Sequence, residues 1–140
     1  MRKILVPVDA SESALHAARY AAKLAGDNPA IQLHVLNVQE PLEVRSHAYI
    51  SQPEAKTIQA ADSQAVMQPV MELLDDAGIA YRADWRAGDI APTIAAYAEE
   101  IGCESIIMGT RGLGPVGNLV MGSVANKVVH LVNVPVTLVK

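Results

Sequence analysis

The chain has 140 residues, 51% of them hydrophobic, with a single cysteine and a formal net charge of -4. A chain of this size closes one core without disulfides or metal, and its apolar runs of four to six residues are too short to cross a bilayer. The acidic balance argues against a nucleic-acid surface, which needs clustered Lys and Arg to displace counterions.

The first element is KILVPVD, Lys3 to Asp9. Its apolar run is continuous rather than alternating, which marks a parallel strand covered on both faces. Ala14, Ala17, Ala18, Ala21 and Ala25 then recur at helical spacing, and Gly26 stands where a C-terminal cap belongs, so a helix is predicted from Ser11 to Ala25. Ile31 to Val38 reads as a second strand. From Gln39 to Pro53 the sequence is polar and reads as a long loop, holding His47 and Tyr49. A helix follows from about Glu54 to Ala77, kinked or split at Pro69 and ended by Gly78.

Ile79 to Arg86 is the third predicted strand. Asp89 suits an N-cap for a helix whose Ile90, Ile94, Tyr97 and Ile101 share a face, and Gly102 closes it. Ser105 to Gly109 is strand four, Ser123 to Leu131 a last helix, and Val134 to Val139 strand five. Strands alternating with helices predict a single α/β domain over residues 1–140, an open, doubly wound parallel sheet. The lone Cys103 forms no intrachain bridge and MRKILVPVDA does not resemble a secretion signal, so a reducing cytoplasm is the expected location.

Five of the nine glycines fall between Gly109 and Ser123. Three phosphate-binding spacings overlie this stretch. GLGPVG, Gly112 to Gly117, matches a dinucleotide fingerprint, but it follows the fourth strand and no carboxylate lies beyond Glu104 to take a ribose. GNLVMGS, Gly117 to Ser123, matches a P-loop without its Lys. The third spacing is Gly109, two residues, Gly112, nine residues, then Gly122-Ser123. It needs neither lysine nor carboxylate, because bare backbone N–H groups, the Ser123 hydroxyl and a helix N-terminus can hold phosphate. With Arg111, Lys127, Lys140 and His130 and no acid, the segment after Glu104 is also locally basic.

This third spacing, with PVD ending strand one and PVTLV ending the chain, resembles the nucleotide-binding branch of the universal stress protein family over essentially all 140 residues. The resemblance implies a Rossmann-like sheet ordered 3-2-1-4-5, with the tips of strands one and four meeting at the switch point where open α/β sheets hold ligands. It implies ATP, or AMP or ADP, as ligand, with Mg²⁺ carried on the phosphates rather than in a protein cage. Pro7, Val8 and Val35 would line an adenine pocket, or be core only. Asp9 would face the ribose or adenine, besides capping the first helix with Glu12 as the second half of a capping box. Met108 would press on the ribose or base at Gly109, and Gly109 would let the ligand approach strand four. Arg111, Gly112, Gly122, Ser123 and Val124 would surround the phosphates, with Asn118 as a weaker candidate.

No catalytic residue is expected, since the four histidines are scattered and no nucleophile elbow is present. His34 is expected to be a satisfied core histidine, and Trp85 a packing residue. The functional expectation is a small cytoplasmic stress-response protein that binds ATP as a switch, with at most slow hydrolysis or self-phosphorylation. The alternatives are a partner-docking protein acting through the Gln39 to Pro53 loop, with nucleotide incidental, or a nucleotidyl- or electron-transfer enzyme. An apolar terminal strand invites pairing with its twin, so a homodimer through Val134, Val136 and Leu138 is expected.

Overall fold

A computed structural model describes residues 2–42, 51–110 and 122–140. The strands are β1 (Arg2–Pro7), β2 (Ile31–Gln39), β3 (Tyr81–Ala87), β4 (Ser105–Gly109) and β5 (Val136–Val139). All pairings are parallel, in the order β3-β2-β1-β4-β5. The helices are α1 (Glu12–Asp27), α2 (Gln52–Asp76), α3 (Ile90–Ile101) and α4 (Ser123–Leu131).

The two-sided burial read from β1 has a direct structural counterpart. Ile4 and Val6 pack with Leu33 and Val35 under Ala14, Ala17, Ala18 and Ala21 of α1 and Val70 and Leu74 of α2. Leu5 turns the other way, joining Leu36, Ile106 and Met108 beneath α3 and α4. Successive side chains of a strand point to opposite faces, so a strand between two helix layers must be apolar at every position. The alanine face of α1 lets that helix sit close to the sheet.

Several local expectations change. Gly26 does not cap α1; the helix continues to Asp27 and ends at Asn28, whose N–H donates to Leu24 O at 3.0 Å. Asn28 Oδ1 then accepts from Ala30 N, making the turn that Gly26 was expected to start. Neither does Pro69 split α2, which runs as one helix through it. Proline there forfeits the bond its own N–H would have given and crowds the preceding turn, without ending the helix. Gly102 caps α3 as expected, in the left-handed conformation at φ 63°, and Asp89 holds the N-cap position without a side-chain hydrogen bond. Strand five is shorter than expected, leaving Val134 ahead of it, and it lies at a sheet edge.

His34 departs from expectation more sharply. It sits on β2 in register with Leu5 of β1 and Arg82 of β3 and is only 6% exposed. Neither ring nitrogen has a hydrogen-bond partner among the described residues. It is therefore a buried histidine, but not a satisfied one. Burial lowers its pKa, and Lys3 and Arg82 lower it further. Trp85 packs against the α1–α2 side of the core, as expected.

Candidate functional site

The C-terminal ends of β1, β2 and β4 open onto a cleft of about 640 Å³. Parallel strands deliver their C-terminal ends, and the N-termini of the helices that follow, to the same side. The crevice between β1 and β4 is where the strand order reverses, the usual ligand position in this architecture. Residues Pro7 to Ser11 and Leu36 to Glu40 form one side. Asp62, Ala65 and Val66 of α2 and Ile90 and Ile94 of α3 add apolar wall and one acid. Met108 to Thr110 and Gly122 to Ala125 complete the opposite side.

Asp9 is not the cap of α1. Ser11 holds that position, its Oγ accepting from Ala14 N at 3.2 Å. Asp9 Oδ1 instead accepts from Ser11 N at 2.9 Å and from the Ser11 hydroxyl. Glu12 therefore begins the helix rather than answering Asp9 across a capping box. Both Asp9 and Ser11 are good capping residues two positions apart, and the Asx-type turn made by Asp9 leaves Ser11 nearer the first free N–H groups.

Gly109 has a packing role besides the one expected of it. A Cβ placed there would lie 2.7 Å from the carbonyl carbon of Ser13 and 2.9 Å from its Cβ. The missing side chain makes room for the first turn of α1, so helix packing already requires the glycine. Gly122 is the N-cap of α4, at φ -58° and ψ 156°, and offers no side-chain cap. The first intrahelical acceptor bond is Asn126 N to Gly122 O at 3.0 Å. The N–H groups of Ser123, Val124 and Ala125 precede that bond, and all three residues line the cleft. A helix start of this kind attracts anions.

Of the residues singled out from sequence, Pro7, Val8, Asp9, Met108, Gly109, Gly122, Ser123 and Val124 come together around the cleft. Val35 does not join them: it is fully buried under α1 and α2, one residue short of the β2 segment that reaches the cleft. Arg111, Gly112 and Asn118 lie outside the described residues, as do His47 and Tyr49 of the long loop. Lys127 and His130 are exposed on α4 away from the cleft. Among the described lining residues the charged groups are Asp9, Glu40 and Asp62, all acidic.

Sequence reading missed Asn37 and Gln39. Both are buried polar residues lining the cleft. Asn37 Nδ2 donates to Val8 O at 2.9 Å, and Gln39 Nε2 donates to Asn37 Oδ1 at 2.7 Å. Gln59 of α2 donates to Glu40 O at 3.2 Å, fastening the same strand end to the helix layer. The available signal was two amides at alternate positions at the C-terminal end of a buried strand. Such residues share a face, and a buried one needs partners.

A model of the universal stress protein family matches residues 1–140. The chain belongs to the universal stress protein family. Universal stress protein Sll1654 of Synechocystis is 33% identical to it over 142 residues, covering 99% of this chain and 85% of that protein. The solved structure of the hypothetical protein MJ0577 matches with a TM-score of 0.85 at 28% identity, over 99% of this chain and 95% of that one. The universal stress protein fold extends to structures of lower identity. One is the Archaeoglobus fulgidus protein in complex with dAMP, at TM-score 0.75 and 20% identity over 100% of this chain and 98% of that one. Another is an Arabidopsis thaliana family protein with AMP bound, at TM-score 0.73 and 19% identity over 100% and 92%. The 3-2-1-4-5 order of this universal stress protein is the one the resemblance implied.

Proposed function

We propose that this universal stress protein is a regulatory binder of adenine nucleotides, with ATP held in the cleft between β1 and β4 and its occupancy reported to a partner protein in the cytoplasm. One observation carries the reading. The glycine-capped start of α4 and Asp9 line one cleft together with apolar side chains of α2 and α3, so a ligand with an anionic end and a hydrogen-bonding flat end meets suitable chemistry there. The dAMP and AMP held by the more distant relatives are ligands of that shape.

Charge gives the ligand a direction. Glu40 belongs to the β2 side, so phosphates are disfavoured there and belong at the α4 end. The base and ribose then lie toward β2, and Asp9 accepts from the ribose or base. Arg111, Gly112 and Asn118 are assigned to the phosphates. Mg²⁺, carried on the phosphates rather than in a protein cage, would offset part of their charge. The cleft's own residues bind and orient the nucleotide; hydrolysis or self-phosphorylation is at most slow.

Titration calorimetry with ATP, ADP and AMP, with and without Mg²⁺, tests this directly. Wild-type protein is expected to bind, and Gly122→Val to lose about tenfold in affinity, or ~1.4 kcal/mol. The Gly122 backbone lies in a region any residue adopts, so the variant is expected to fold. Absence of heat with all three nucleotides at millimolar concentration overturns the proposal.

We further propose a homodimer formed by antiparallel pairing of β5, an apolar strand at the sheet edge. Val136→Lys combined with Leu138→Lys is expected to sediment as a monomer where wild type sediments as a dimer. An unchanged dimer places the interface elsewhere.

A further inference from the structure

Val8 leaves the sheet just before Asp9, and both of its backbone polar groups are held. Its N–H donates to Leu36 O at 2.8 Å, continuing the β1–β2 pairing one residue beyond Pro7 and Leu36. Its carbonyl is taken by a side chain, Asn37 Nδ2, at 2.9 Å. Asn37 is 3% exposed. A carbonyl can only accept, so the nitrogen of the amide must face Val8, and the Gln39 donation to Oδ1 fixes that orientation from the other side. Asp9 is thus anchored twice. On one side Val8 is tied to β2 through backbone and amide; on the other, Ser11 N and Oγ hold Oδ1. Oδ2 makes no hydrogen bond among the described residues, and Asp9 lines the cleft.

We infer that Asn37 is a positioning residue for the Asp9 carboxylate, acting through the Val8 carbonyl, with Gln39 locking the amide. The inference rests on the nucleotide reading and adds to it a residue that need not touch the ligand. Its physical basis is preorganisation. A carboxylate held at one place before binding loses little freedom when it meets a hydroxyl or amino donor, whereas one on a loosened turn must be ordered by the ligand. Loss of the amide also leaves the Val8 carbonyl without its partner at the cleft edge, which favours movement of the turn.

A double-mutant cycle on AMP affinity tests this, with melting temperature measured in parallel. Asn37→Ala and Asp9→Ala are each expected to weaken AMP binding about tenfold, and the double variant to bind no more weakly than Asp9→Ala alone. Groups that act as a unit give such non-additive losses, while independent ones multiply. Gln39→Leu, which leaves the Val8 bond in place, is expected to weaken binding about threefold and to have no effect on affinity once Asp9 is alanine. It serves the same test if Asn37→Ala does not fold. A merely structural role lowers the melting temperature equally in both backgrounds and gives multiplicative affinity losses, and that result overturns the inference alone. Wild-type protein without measurable affinity for AMP, ADP or ATP overturns the nucleotide reading and this inference with it.

Discussion

Gly109→Ala is expected to destabilise the ligand-free protein by about 1–3 kcal/mol, the range for forcing an extra methyl into a packed site. The clash is with the Ser13 hydroxyl and Cβ and also with the Ser13 backbone. The added carbon meets the Ser13 carbonyl carbon at 2.7 Å, and α1 is held at that height by its alanine face against Ile4, Val6 and Ile107. Movement of one side chain cannot relieve it. Ser13→Ala in the same chain removes only the hydroxyl, so the pair is expected to recover part of the loss. Urea unfolding with no nucleotide present checks both variants at an unchanged slope. If Gly109→Ala keeps full stability but loses nucleotide affinity, the glycine serves ligand approach and not the helix.

His34→Leu is expected to stabilise the protein by about 1–3 kcal/mol at pH 7.5, since it removes two buried ring nitrogens that have no partner among the described residues and puts a side chain of similar volume in their place. The same substitution is expected to change the pH dependence. Burial first, and then Lys3 and Arg82, hold the folded-state pKa of His34 below its usual value near 6.5. The unfolded chain therefore takes up a proton at a higher pH than the folded one, and stability rises with pH wherever it does so.

Above the unfolded pKa the histidine costs nothing by titration. As pH falls through about 6.5, wild type loses stability until the lower folded-state pKa is reached, with a slope of up to about 1.4 kcal/mol per pH unit. His34→Leu removes this component and leaves that of the carboxylates. The check is the difference between the two profiles in chemical denaturation from pH 7.5 downward. Parallel profiles exclude His34 as the source. His34→Gln is a useful companion, because it keeps buried polarity but cannot titrate in this range.

These two residues also show where sequence reading stops. An apolar strand context marks His34 as buried, and it is. Whether a buried imidazole finds partners depends on which side chains of β1, β3 and α3 come within reach, and these are set by register between segments far apart in the chain. Gly109 is similar. Its place in a glycine-rich string suggested ligand approach, while the contact that requires it comes from Ser13, 96 positions earlier, because β4 pairs with β1 and α1 crosses over both. Asn37 acquired its place only when Val8 and Asp9 were laid beside it.

What the chain order alone determined is whatever repeats within a few residues or follows from alternation. The two-sided burial of β1, the alanine stripe of α1, the glycine cap at Gly102, the limits of α4 and the succession of strand and helix are all local periodicities, set by the pitch of a helix and the pleat of a strand. Even there, the cap expected at Asp9 falls instead on Ser11, since both offer the same kind of acceptor. Only the tertiary structure decided that Val35 is core, that Gly109 admits a helix, that His34 finds no partner among the described residues and that an amide on β2 anchors the turn before Asp9. Those outcomes depend on distances between segments brought together by folding, and no local spacing encodes a distance of that kind.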